Sequence, residues 1–96
     1  MVLEQALLHV LPGQQAAFEQ ALEAARPLIA QSPGFHGMEV RRDLETPGVY
    51  LLLAKWASIA SHQQGFRHSD RYEEWRRLLH PYYDPMPVVR YFGEPV

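Results

Sequence analysis

The 96-residue sequence predicts one α+β domain over residues 1–96, with the element order β-α-β-β-α-β. Three observations predict it. Apolar side chains alternate with a period of two near both the start and the middle of the chain. They recur every three or four residues in two other stretches. The eight prolines fall mostly where one such stretch gives way to the next. A chain of this length has room for one core, and at this size folding buries only roughly 60–65% of the surface of the unfolded chain.

In Val2 to Val10, Leu3, Leu7 and His9 alternate with Val2, Ala6, Leu8 and Val10. Both sets are largely apolar, which predicts a strand buried on both faces. Pro12-Gly13 stops it. From Gln14 the positions Ala17, Phe18, Ala21, Leu22, Ala25, Leu28 and Ile29 define the apolar side of a helix, with Gln15, Glu19, Gln20 and Glu23 opposite. Pro27 is expected to kink or tighten its last turn, because the ring opposes the carbonyl four residues back. Ser32-Pro33-Gly34 closes the segment.

Met38 to Leu44 and Val49 to Trp56 read as the two strands of a hairpin joined at Glu45-Thr46-Pro47-Gly48. Ser58 is placed to cap a short helix reaching about Arg67. Ser69-Asp70 caps a second helix from Arg71 to Leu79, with Tyr72, Trp75, Leu78 and Leu79 on one side. Pro81 to Pro87 is a loop, and Val88 to Phe92 a final strand that its neighbouring prolines confine to an edge.

This order is the ferredoxin-like βαββαβ arrangement, in which both helices cover one face of a four-stranded antiparallel sheet. The second face is then bare. Yet the third predicted strand is apolar on both sides, with Val49, Leu51 and Leu53 against Tyr50, Leu52, Ala54 and Trp56. A second subunit or an apolar ligand is expected to cover it, and a homodimer fits the small size.

The formal net charge is −2 and the nine Lys and Arg are dispersed, which disfavours nucleic-acid binding. The chain has no cysteine, so disulfides and thiolate metal sites are ruled out. No apolar run approaches a membrane span and the start lacks a basic leader, so a cytoplasmic protein without membrane association is expected. His9, His36, His62, His68 and His80 show no zinc-binding spacing, and no metal is expected. His62 reads either as a helix-surface or interface residue or as a catalytic base, and His9 as a core or a pocket histidine. Trp56, Phe66, Tyr72 and Trp75 suit a core and equally the walls of a pocket for a planar aromatic molecule. The charges around Arg67, Arg71, Arg76 and Arg77 read as a solvated helix face.

Pro12-Gly13, Phe18, Pro33-Gly34-Phe35-x-Gly37, Trp56-x-Ser58-x-x-x-His62 and Phe66-x-x-Ser69-x-x-Tyr72-x-x-Trp75 together resemble the antibiotic biosynthesis monooxygenase family across nearly the whole chain. The resemblance implies that two ferredoxin-like subunits pack sheet to sheet as a dimeric α+β barrel. It further implies the reaction of some family members, oxidation of polycyclic aromatic phenols to quinones with dioxygen and with no metal or flavin cofactor. Four family positions for that chemistry fall, without gaps, at Leu52, Trp56, His62 and Arg76. Trp56 and Arg76 match. Leu52 replaces an Asn, and His62 replaces a Tyr with a group able to accept a phenolic proton. The implied roles are ring stacking by Trp56, proton acceptance by His62 and anion stabilisation by Arg76. His9, Leu52, Phe66, Tyr72 and Trp75 then line the substrate. The positions used by haem-degrading relatives fall at Ala6, Phe66 and Arg76, and none carries the residue used there. Two functional classes stay open: a cofactor-free monooxygenase of a small aromatic or quinol substrate, and a non-catalytic ligand-binding or structural dimer of the same fold.

Overall fold

The structure is a computed structural model describing residues 1–96. Four strands, β1 (Val2–His9), β2 (Phe35–Arg42), β3 (Val49–Trp56) and β4 (Arg90–Phe92), form one antiparallel sheet in the order β2-β3-β1-β4. Two helices, α1 (Gln15–Ala30) and α2 (Asp70–Leu79), complete the predicted order. β1 and β3 pair along their whole length, from Val2 opposite Trp56 to His9 opposite Val49. β4 pairs only with Leu3 to Gln5, so it is shorter than the expected Val88 to Phe92 and lies at the edge, where its prolines are tolerated.

The register sorts β1 and β3 into two faces. Glu4, Ala6 and Leu8 of β1 stand beside Ala54, Leu52 and Tyr50 of β3, and all six are buried under the helices. From α1, Phe18, Leu22, Ala25 and Ile29 pack onto this face, and from α2 Trp75 and Leu79. Burial of β1 on both faces is not what the single chain has: Leu7 is 47% exposed and His9 is also exposed. Leu3, Leu7, Leu51, Leu53 and Phe92 fall together on the open face.

Local chemistry sets the element ends. Pro27 does not stop α1, which runs to Ala30 and closes with a tighter bond from the Ser32 N–H to the Ile29 carbonyl (3.1 Å). β2 ends at Arg42 instead of Leu44, because the Asp43 carboxylate accepts the Glu45 and Thr46 N–H groups (2.8 and 3.1 Å) and turns the chain. Ser69 caps α2 as expected, accepting the Tyr72 N–H at 3.3 Å. Gly34 is held at φ +82°, and a Cβ there would lie 2.5 Å from the Ser61 hydroxyl. That close approach brings the α1–β2 turn against the segment following β3, where the Gly34 carbonyl accepts the Ala57 N–H at 2.7 Å. No helix is long and apolar enough to cross a membrane.

Candidate active site

Ser58 opens the segment after β3 by accepting the Ser61 N–H (3.1 Å), as its position predicts. The helix that follows is not an ordinary one. Ser61–Phe66 is a π-helical turn, and the Arg67 N–H bonds the His62 carbonyl five residues back at 2.9 Å. The wide turn directs both His62 and Phe66 under the sheet, where they are 4% and 1% exposed.

His62 meets three groups there. Its Nδ1 lies 2.6 Å from the Tyr91 hydroxyl, and its Nε2 lies 3.5 Å from Glu4 Oε1. Its ring is 5.1 Å from that of Trp56. Glu4 Oε1 also accepts the Trp56 indole N–H at 2.9 Å. Residues from β1, β3, the π-turn and β4 thus form a polar chain, Trp56–Glu4–His62–Tyr91, buried but for its half-buried Tyr91 end. The sheet register brings them together, since Glu4 of β1 stands opposite Tyr91 of β4 and Trp56 ends the neighbouring strand.

Burial sets the protonation of this chain. It raises the Glu4 carboxyl above its ordinary value, against the opposing pull of the Trp56 hydrogen bond and the Arg67 charge. It lowers His62 to about 4, with Arg67 acting in the same direction, so the imidazole is neutral at neutral pH. Burial also raises the Tyr91 phenol. A neutral ring has one donor and one acceptor nitrogen. With Nε2 carrying the proton toward Glu4, Nδ1 accepts from Tyr91.

Beside this chain lies a cavity of about 150 Å³ between the sheet and α2. Its walls include Leu52, His62, Phe66, Tyr72 and Trp75, five of the residues expected at a site from the sequence. The Phe66 ring meets those of Tyr72 and Trp75 edge-on, at 5.4 and 5.6 Å. Trp56, expected to stack on a ligand, is fully buried one layer behind the wall, where it anchors Glu4. Arg76 is not at the cavity: its side chain is 55% exposed and lies 3.3 Å from Glu73 on the outer side of α2. His9 is on the open face of the sheet, away from the cavity. The cation at the cavity is Arg67, whose guanidinium lies 5.4 Å from the Tyr72 ring centre. Glu4, Arg67, His80 and Tyr83 also line the space, and the sequence assigned none of them to a site. For Glu4 a signal existed, a carboxylate at an inward position between Val2 and Ala6. No three His, Asp or Glu side chains converge as ligands of a metal ion would.

The family model for antibiotic biosynthesis monooxygenase matches residues 1–78. The chain belongs to that family. A Bordetella bronchiseptica crystal structure assigned to the antibiotic biosynthesis monooxygenases superposes with a TM-score of 0.94 at 33% identity, covering 99% of this chain and 97% of the other. The uncharacterized protein YczJ of Bacillus subtilis is 39% identical over 94 residues, 98% of this chain and 99% of that protein. SnoaB, a cofactor-independent oxygenase from Streptomyces nogalater, shares the fold with a TM-score of 0.85 at 17% identity, over 99% of this chain and 93% of its own. The ferredoxin-like fold expected from the sequence is therefore that of the antibiotic biosynthesis monooxygenases.

Proposed function

We propose that this family member is a cofactor-free monooxygenase of a single-ring hydroquinone or similar phenol, bound in the cavity beside Glu4 and His62. One observation carries the reading: a cavity with largely aromatic walls has a buried carboxylate and imidazole, Glu4 and His62, side by side in its lining. A volume of about 150 Å³ suits roughly one benzene-sized ring better than a fused polycyclic phenol.

The chemistry needs a proton acceptor first. Removing a phenolic proton leaves an electron-rich phenolate that can reduce dioxygen directly. For hydroquinone the balanced outcome is one ring plus one dioxygen giving hydroxybenzoquinone plus water. One oxygen atom enters the ring, the other leaves as water, and the ring supplies all four electrons. The neutral His62 belongs to the unit that takes the proton, while Arg67 at the cavity wall favours the anion that forms. The open sheet face supports a homodimer, in which a second copy covers Leu7 and Phe92, 47% and 44% exposed in the single chain.

Oxygen uptake with hydroquinone, methylhydroquinone and anthrone, in air and under anaerobic conditions, tests the assignment. Uptake with the single-ring substrates, little with anthrone, and a fall of a hundredfold or more in His62→Ala are expected. No uptake above autoxidation, or an unchanged rate in His62→Ala, would sink the catalytic reading. Binding without uptake would then favour a ligand-binding protein, consistent with apolar Leu52 in the wall. Light scattering at micromolar concentration should give twice the mass of the chain, and a monomer would refute the dimer.

A further inference from the structure

We propose that the atom receiving the ligand's hydroxyl proton is Oε2 of Glu4, with His62 and Trp56 acting as positioning residues that hold the carboxylate. The proposal deepens the reading above and rests on it for the oxygenation that follows, though not for the proton transfer itself.

The bonding pattern singles out this atom. Glu4 Oε1 accepts the Trp56 indole N–H at 2.9 Å and has His62 Nε2 standing over it at 3.5 Å. Oε2 of the same carboxylate has no protein partner. Glu4 is 6% exposed, yet the molecule contains no fully buried side-chain oxygen or nitrogen lacking a partner. Oε2 is therefore not sealed in apolar packing; it opens to the cavity that Glu4 lines. His62 cannot serve the same purpose directly. Its Nδ1 accepts from Tyr91 at 2.6 Å, so Nε2 of the neutral ring carries the proton and neither nitrogen has a lone pair free to take another.

In the step itself the phenol O–H bond breaks, its electron pair stays on the ring oxygen, and the proton forms an O–H bond with Oε2. Every charged or titratable group around Glu4 bears on that exchange. Trp56 donates from β3, His62 and Arg67 approach from the π-turn and its end, and Tyr91 stands opposite on β4. Tyr72, His80 and Tyr83 line the far wall. Burial strengthens the carboxylate as a base, which moves it toward the working range of a proton acceptor at neutral pH. An ionised carboxylate accepting a phenol O–H in an apolar cavity makes a short, charge-assisted bond.

The test is equilibrium binding of 4-nitrophenol, a single-ring phenol whose absorbance reports its own ionisation, measured from pH 4 to pH 8 with wild type, Glu4→Gln, Glu4→Asp and His62→Gln. Glutamine keeps a carbonyl for the Trp56 N–H, and near-ultraviolet circular dichroism checks that the fold is retained. Wild type should bind the neutral phenol with an affinity that falls on acidification as Glu4 is protonated. Glu4→Gln should bind about tenfold more weakly at neutral pH and lose the acid-side dependence, the difference between a charge-assisted and a neutral hydrogen bond. Glu4→Asp should keep that dependence, and His62→Gln should shift it without abolishing it. No binding by wild type, affinity within threefold of wild type in Glu4→Gln, or loss of the acid limb only in His62→Gln would each overturn the proposal. Hydroquinone uptake separates the two readings. Glu4-dependent binding without oxidation removes the oxygenase and keeps the proton acceptor, whereas oxidation unaffected by Glu4→Gln does the reverse.

Discussion

Two glutamates in this molecule accept a hydrogen bond from an aromatic side chain of β3, and they end in opposite states. Glu19 on α1 accepts the Tyr50 hydroxyl at 2.6 Å and is also gripped by Arg42, through Nε at 2.9 Å and a terminal nitrogen at 2.5 Å. Its side chain is 35% exposed, and its carboxyl is held below the ordinary value, first by Arg42 and then by Tyr50. Glu4 on β1 accepts the Trp56 N–H at a similar distance, but burial governs it and Arg67 acts only at longer range. The first is a fixed anion that ties α1 to the hairpin. The second is a carboxyl that burial pushes toward its neutral form. An aromatic donor thus positions a carboxylate in either place, while solvent and a contacting cation decide whether it holds its charge.

The contrast can be broken from either end, starting with the largest expected effect. His62 has a folded pKa of about 4 against roughly 6.5 unfolded, so below pH 6.5 the unfolded chain binds more protons. Its contribution to stability is complete above pH 6.5 and is lost as pH falls toward 4, by up to about 3 kcal/mol. Urea melts at several pH values should show this loss in wild type relative to His62→Gln. Trp56→Phe takes the N–H from Glu4 and leaves Oε1 short of a donor in a buried place, which should cost about 1–3 kcal/mol in the same melts.

Glu4→Gln should affect stability with the opposite sign. A carboxyl whose folded pKa is raised loses stability as pH rises through that value, so glutamine should gain on wild type as pH increases from 4 to 7. A mutant whose deficit grows over that range would contradict the burial assigned to Glu4. At the other end, Tyr50→Phe removes a bond to a carboxylate that water and Arg42 still satisfy, and should cost only about 0.5–1 kcal/mol. Smallest of all, Arg42→Gln should leave the melt nearly unchanged and move the Glu19 carboxyl back toward its ordinary value, as followed by NMR titration.

Most of the fold was legible in the sequence because it rests on local chemistry. The alternation in β1 and β3, the apolar side of α1, and the caps at Ser58 and Ser69 are each decided within a few residues. The cavity wall was legible through its aromatics, since Tyr72 and Trp75 repeat at helical spacing and Phe66 stands just ahead of their helix. The polar corner was not, because register across three strands assembles it. Tyr91 gains its place only by standing opposite Glu4. His9 has the opposite parity to Glu4 along β1, which puts it on the other face. Arg76 follows Trp75 by one residue, about 100° round the helix, and so faces outward when Trp75 faces in. Arg67 was read as part of a solvated face, because the π-turn that turns it toward the cavity has no simple periodic signature.

That π-turn also bears on how the site can change over evolutionary time. It holds one residue more than an α-helical turn needs, and a Cβ added at Gly65 within it would meet only the Ala60 carbonyl, at 4.0 Å. Losing a single codon there would let the bonding revert from five residues to four, rotating His62 by about 100° relative to Phe66. No core side chain would be replaced. A Gly65-deletion variant should accordingly keep its aromatic wall but melt lower, because His62 leaves a buried place and its contact with Tyr91 is lost. Relatives could thus acquire or discard the histidine by a change of length alone, leaving the glutamate behind as an independent inheritance.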